Sequence, residues 1–95
     1  MSVGQQAVQL GHAALDYIFE FPEQSREWHL SNYLIYLTTE NEEELQKLSD
    51  TLSSKVHVCK FNEPDLNNSL TAFSFISNEE TKKYTSKLKL AFAYI

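Results

Sequence analysis

The chain has 95 residues, of which 42% are hydrophobic and 13% aromatic, enough for one folded domain over 1–95 but not for two independent cores. The net charge of −5 disfavours a dedicated nucleic-acid binder, which usually has a basic surface. The single cysteine excludes an internal disulfide, and no spacing of cysteine and histidine suggests a zinc site. The sequence shows neither a signal-peptide pattern nor a run of about 20 apolar residues. These features predict a cytoplasmic protein with no membrane partner.

Charged residues are unevenly distributed along the chain. Four lysines lie near the C-terminus and four glutamates lie in the middle: Lys82, Lys83, Lys87 and Lys89; Glu40, Glu42, Glu43 and Glu44. A local basic patch could survive the overall acidity. The alternative is that these lysines are ordinary solvated side chains.

The first predicted element is a helix over residues 4–21, because apolar residues recur there at spacings of three and four. Ser2 is the expected N-cap, and Pro22 ends the helix. Further apolar residues widen the stripe: Val8, Leu15, Ile18 and Phe19. This width predicts a helix that is buried on more than one side.

The next segments predict a connection, a strand and a second helix. Residues 22–31 indicate a connection with one helical turn. Residues 32–38 form a nearly continuous apolar run, which is typical of a central strand covered on both faces. Thr39 and Glu42 match a capping box that opens a helix over 40–54.

The C-terminal half predicts two strands, a loop and a short helix. Residues 56–61 alternate in polarity, as in a strand near an edge, and 62–68 form a loop rich in asparagine. A second strand follows at 69–76, and a helix over about 78–86 opens behind it. The tail at 87–95 is either a strand or a packed extended end.

The alternation of helices and strands predicts an α/β layered fold. A helix as apolar as 4–21 normally follows a strand, and no residues precede it here to form one.

Two segments resemble the type 2 peptidyl-tRNA hydrolases. Residues 4–14, GQQAVQLGHAA, are similar to the first-helix motif of that family, approximately G-K-x-A-A-Q-C-x-H-A. The matching residues are Gly4, Ala7, Gln9, His12 and Ala13. Residues 63–72, EPDLNNSLTA, resemble the acidic loop and threonine-bearing last strand, most closely in a short bacterial and phage-type branch with the pattern E-P-D-L-x-N-x-L-T-A. The resemblance extends from Val3 to about Leu90.

The resemblance implies a three-layer α/β/α fold with a small mixed sheet of four strands. It also implies an activity, hydrolysis of the ester that joins a peptide to the 3′ end of tRNA, without a metal or an organic cofactor. The expected partner is the 3′ end of peptidyl-tRNA, and because family members often dimerise, a homodimer is a candidate assembly.

The sequence departs from the family pattern in two ways. Gln5 occupies the position of a family lysine, and an amide cannot supply the charge that holds a phosphate or stabilises an oxyanion. The family's first strand lies before the helix and inside the sheet, so the domain is expected to be N-terminally incomplete. A partner chain or the tail at 88–95 could fill the resulting gap.

The matching positions supply the candidate site residues. The catalytic candidates are His12, Asp65, Gln9 and Thr71, and the substrate-binding candidates are Gln5, Asn67 and Glu63. No residue is assigned to a metal or a cofactor.

Four polar residues of the first helix share one face, at i, i+4, i+7 and i+11: Gln5, Gln9, His12 and Asp16. This face is either the polar wall of an ester-hydrolysis site or an ordinary solvated surface. In the first case His12 would orient or activate water, or bind the terminal ribose.

Each candidate site residue in the loop and the following strand has a structural role as its alternative. Asp65 could accept a proton from water or orient His12, or it could be a turn residue. Glu63 is a weaker alternative for the acidic role. Thr71 either faces the site or is an ordinary strand residue, and Asn67 with Asn68 could bind phosphate or ribose or simply form a turn.

Two further pairs of residues each have a functional and a structural interpretation: Trp28 with His29, and His57 with Cys59. Trp28 and His29 could stack on a terminal adenine, although a tryptophan ahead of a strand is more often a core anchor. His57 and Cys59 share a strand face without complementary ligands, so neither a metal site nor a cysteine nucleophile is expected.

The sequence leaves two functions open. One is a peptidyl-tRNA hydrolase, and the other is a catalytically silent relative that binds tRNA ends, nucleotides or a protein as a dimeric module.

Overall fold

The computed structural model describes residues 2–31 and 33–91, and within them helices and strands alternate. The helices are α1 (Val3–Glu20), α2 (Pro22–His29), α3 (Glu42–Ser53) and α4 (Glu79–Thr85). The strands are β1 (Leu37–Thr38), β2 (Val58–Glu63), β3 (Ser69–Phe75) and β4 (Lys89–Leu90), with a 3₁₀ turn at Pro64–Leu66 between β2 and β3. The predicted α/β class is confirmed.

The described strands form two separate antiparallel pairs, β1 with β4 and β2 with β3. The β2–β3 hairpin runs from the pair Val58 and Phe75 to the pair Glu63 and Ser69, with a register shift at Phe61. The resemblance implied one mixed sheet. In the described residues both sheets are antiparallel, and neither has more than two strands.

Helix α1 packs against β2 and β3 through one stripe, in which Gln9, Ala13 and Tyr17 are buried. The prediction that α1 is buried on more than one side is wrong. Phe19 is 84% exposed, and Leu15 on the same side of the helix is also exposed. The described elements cover only the stripe that faces the hairpin, so the additional apolar residues remain in contact with solvent.

The start of α3 also differs from the prediction. The N-cap is Asn41, whose side chain accepts a hydrogen bond from the backbone N–H of Glu44 at 2.9 Å. Thr39 donates its hydroxyl to the carbonyl of Asn41, so the predicted capping box between Thr39 and Glu42 is wrong. Both residue types can cap a helix, but asparagine is the stronger N-cap and lies directly before the first turn.

The other boundaries agree with the sequence to different degrees. Ser2 caps α1 as expected, and Asn78 caps α4. The connection after α1 is a longer helix than expected, with Pro22 at its first position. The strand predicted over 32–38 is paired only at Leu37–Thr38, with Asn32 outside the described residues. Likewise, the tail forms a strand at Lys89–Leu90, and 92–95 lie outside the described residues.

No helix in the described ranges is long and apolar enough to cross a bilayer.

Cys59 of β2 is buried, and its thiol donates a hydrogen bond to Glu20 Oε2 at 3.3 Å. Burial, together with the neighbouring carboxylate, raises the pKa of the Cys59 thiol from 9.0 to about 12. Because folding favours the neutral thiol, its contribution to stability is complete below pH 9 and is lost as the pH rises from 9 towards 12.

We therefore expect Cys59 to react with a disulfide reagent at pH 8 about a thousandfold more slowly in the native protein than in the urea-unfolded chain, because the thiolate is the reactive form. The colour released by an aromatic disulfide reports this rate directly. Comparable reaction rates in the native and unfolded states would show that the Cys59 thiol is not buried and that its pKa is not raised.

Candidate active site between the first helix and the β2–β3 hairpin

Gln9 lies at the centre of a polar cluster that joins three elements. Its side chain is on the buried stripe of α1, where the residue is only 8% exposed. Gln9 Nε2 donates to Glu63 Oε2 at 2.9 Å, and Thr71 Oγ1 lies 3.4 Å from Gln9 Oε1 in a donating geometry. A buried amide is costly unless it is hydrogen-bonded, so these contacts fix the orientation of the Gln9 amide.

The hairpin holds Glu63 and Thr71 in place. Glu63 ends β2, and its second carboxylate oxygen accepts the backbone N–H of Asp65 at 3.2 Å, which caps the 3₁₀ turn. The chain then reverses through Asn67 and Asn68, both with positive φ, a conformation that asparagine tolerates. The two oxygens of Glu63 therefore have different partners, one in the turn and one on α1.

His12 lies one turn beyond Gln9 on α1, at the exposed margin of the cluster. Its ring stacks on Phe61 of β2 with centroids 4.6 Å apart and an angle of 7° between the planes. Thr71 Oγ1 is also 3.4 Å from the carbonyl of Phe61. The aromatic contact orients an imidazole that remains accessible from solvent.

A comparison with protein families matches residues 1–91 to the peptidyl-tRNA hydrolase family PTH2. This chain belongs to the PTH2 family. The match includes both the α1 motif and the hairpin, so the cluster around Gln9 lies within the family domain. No curated protein and no solved structure matches the chain.

Of the two acidic residues in the loop of this PTH2 chain, Glu63 contacts α1, although the sequence favoured Asp65 for the acidic role. Asp65 and Asn67 are exposed in the turn. In the described part of the chain, no hydrogen bond joins the Asp65 carboxylate to His12, and Asp65 contributes its backbone N–H to Glu63 instead. The sequence favoured the wrong one of the two carboxylates for the contact with α1, because they are two residues apart in one polar loop and no local pattern shows which of them faces the helix.

Gln5, at the position of the PTH2 lysine, takes part in the start of α1. Its side-chain Oε1 accepts the backbone N–H of Ser2 at 2.9 Å, and its own backbone N–H donates to Ser2 Oγ at 3.1 Å. This reciprocal pair is a capping box. The residue is exposed, and its amide is engaged at the helix end.

The remaining candidates lie away from the cluster. Trp28 is half-buried and donates its indole N–H to the carbonyl of Tyr33 at 2.7 Å. His57 stacks on Phe21 with centroids 4.5 Å apart. Asp16 is exposed on α1. Among residues 2–31 and 33–91, no three metal-ligating side chains come together.

Proposed function

We propose that this PTH2 chain hydrolyses the ester that joins a peptide to the 3′ ribose of tRNA, with Gln9, Glu63 and Thr71 at the centre of its site. Membership of the family supports the reaction class. The observation that supports the location is the hydrogen bond from the buried Gln9 amide to Glu63. A polar network at the meeting point of three elements is rigid enough to position a substrate.

In this proposal, a water oxygen forms the new bond to the ester carbonyl carbon, and the bond from that carbon to the ribose 3′ oxygen breaks. His12 accepts a proton from the attacking water, and a proton is returned to the ribose oxygen. Glu63 holds one amide hydrogen of Gln9, which leaves the second hydrogen for the oxygen that gains negative charge. Thr71 fixes the opposite end of the same amide.

The charge distribution favours an ester over a phosphate as the group that reacts. Glu63 is an anion inside the cluster, and a carboxylate there would repel a phosphate. An ester carbonyl is neutral before attack and accepts hydrogen bonds from amide and hydroxyl donors. The exposed turn with Asp65 and Asn67 is then the surface nearest to the ribose and the last nucleotide.

The first test is the turnover of an N-acetylated aminoacyl-tRNA, measured as release of free tRNA. We expect the parent to turn over this ester and His12→Ala to lower kcat/KM about 100-fold, within the range usual for loss of a general base. His29→Ala is the matched control, because His29 is also exposed but lies on α2. Equal rates for the two variants would remove His12 from the mechanism.

The second candidate is a catalytically silent PTH2 relative that binds tRNA ends or another molecule. The engagement of Gln5 in the capping box favours it, because no cation is present at that position. Gln5→Lys distinguishes the two candidates. A large gain in hydrolysis over an inactive parent supports an enzyme that has lost a group, whereas tight tRNA binding with no hydrolysis in either protein supports the binding module.

A further inference from the structure

Phe61 of β2 contacts the candidate site in two ways, through its side chain and through its backbone. Its half-buried ring stacks on the His12 imidazole, with centroids 4.6 Å apart and an angle of 7° between the planes. Its carbonyl oxygen lies 3.4 Å from Thr71 Oγ1, the hydroxyl that also lies 3.4 Å from Gln9 Oε1. Phe61 therefore joins the exposed imidazole to the buried cluster around Gln9.

The spacing of contact residues on β2 matches their spacing on α1. Phe61 and Glu63 are two residues apart, so their side chains lie on one face of the strand and about 6.6 Å apart along it. Their partners, His12 and Gln9, are three residues apart on the helix, which places their Cβ atoms about 5–6 Å from each other. The two contacts can thus form together, and a shift of β2 along α1 would disturb both.

A register shift beside Phe61 explains why Thr71 also faces α1. Phe61 pairs with Ala72, but the next pair along the hairpin omits Thr71, which is the extra residue of a bulge. The hydroxyls of Thr71 and Ser74 both contact α1. Residues three apart on a regular strand lie on opposite faces, so the bulge turns the Thr71 hydroxyl towards α1 and towards the Phe61 carbonyl.

The stack on Phe61 is the contact that orients the His12 imidazole. Among residues 2–31 and 33–91, this imidazole makes no hydrogen bond and no ion pair. In hydrolases with a catalytic triad, a carboxylate orients the histidine by accepting one ring N–H. Here an apolar ring contacts the face of the imidazole, so both nitrogens, which lie in the ring plane, remain available for proton transfer.

We infer that Phe61 is a positioning residue that acts through His12, orienting the imidazole by its face where other hydrolases orient it by a carboxylate at its edge. This inference rests on the proposed function, because it concerns the step in which His12 accepts a proton. Loss of the ring should lower kcat, because a misplaced base accepts a proton more slowly. KM should be retained, because the stack acts on the reacting step and not on substrate binding.

The first measurement is independent of hydrolysis. The ring protons of His12 lie over the face of Phe61, where the aromatic ring current moves their NMR signals upfield. We expect these signals to move downfield in Phe61→Leu, while the signals of His57, which stacks on Phe21, stay in place. Unchanged His12 signals would show that Phe61 does not orient the imidazole and would overturn the inference.

The second measurement is hydrolysis of an N-acetylated aminoacyl-tRNA. We expect Phe61→Leu to lower kcat about tenfold with KM within about twofold of the parent, and Phe61→Tyr, which keeps the ring, to recover most of the rate. Phe73→Leu is the matched control, because Phe73 is a half-buried ring of the same hairpin that stacks on Phe75 instead. Equal losses in Phe61→Leu and Phe73→Leu would assign the effect to the stability of the hairpin and would overturn the inference.

A double-mutant cycle separates this inference from the proposed function. If Phe61 acts through His12, Phe61→Leu should change kcat by less than about twofold in a His12→Ala background. An equal loss in both backgrounds would overturn the role of Phe61 and leave the hydrolytic site in place. Absence of turnover by the folded parent would instead overturn the proposed function, and the catalytic role of Phe61 with it.

Discussion

Glu63→Gln is expected to lower kcat/KM for an N-acetylated aminoacyl-tRNA about 100-fold, comparable with the loss of one oxyanion donor in other hydrolases. The carboxylate is the acceptor that orients the Gln9 amide, at 2.9 Å from its nitrogen. A neutral amide at position 63 holds that group more weakly and can present either its oxygen or its nitrogen. Thermal melting of the variant would separate this effect from unfolding.

Asp65→Asn is the matched control for Glu63→Gln. It removes the same charge two residues away, from an exposed side chain. We expect its kcat/KM to stay within about threefold of the parent, because its contribution to the cluster is a backbone N–H that the substitution retains. A large loss in Asp65→Asn with a normal Glu63→Gln would transfer the acidic role to Asp65.

Leu52→Ala is expected to lower the free energy of unfolding by about 2–5 kcal/mol, as for other fully buried leucines. Leu52 is 0% exposed and is one of the few completely buried apolar side chains in the described residues. A chain of 95 residues has a total stability of only about 5–15 kcal/mol. The variant should therefore be partly unfolded at 37 °C, which denaturant titration would measure.

Ser49→Ala is a control on the same helix, and it is expected to change the free energy of unfolding in the opposite direction. Ser49 is 0% exposed, and its Oγ has no hydrogen-bond partner in the described part of the chain. Removal of an unsatisfied buried hydroxyl should raise stability by about 1 kcal/mol. Helix α3 packs against β2 and β3. If Leu52→Ala had no effect, or if Ser49→Ala destabilised as strongly as Leu52→Ala, this packing would be contradicted.

Local signals predicted the helices well and the strands less well. Ser2 and Pro22 bounded α1 correctly, because a cap and a proline act within one turn of chain. The segment 32–38 has the composition of a central strand, but a strand exists only where a neighbour pairs with it. In the described residues only Leu37–Thr38 have such a neighbour.

The sequence motifs named the residues of the Gln9 cluster but not the contacts between them. The α1 motif indicated Gln9 and His12, and the loop motif indicated Glu63 and Thr71. The contact between Gln9 and Glu63 joins residues 54 positions apart, and no local pattern specifies which of two nearby carboxylates will reach a helix. The exposure of Phe19 was equally unpredictable, because burial depends on what covers the helix.

The most direct test of the proposed site is single-turnover hydrolysis of N-acetylated aminoacyl-tRNA by the parent, Gln9→Leu and Gln46→Leu. Gln9→Leu keeps the side-chain volume and removes both hydrogen bonds of the cluster, whereas Gln46 is an exposed residue of α3. We predict release of free tRNA by the parent and by Gln46→Leu, and a rate at least about 100-fold lower for Gln9→Leu. If the folded parent protein released no tRNA, or if all three proteins had equal rates, the proposed hydrolytic site around Gln9 would be contradicted.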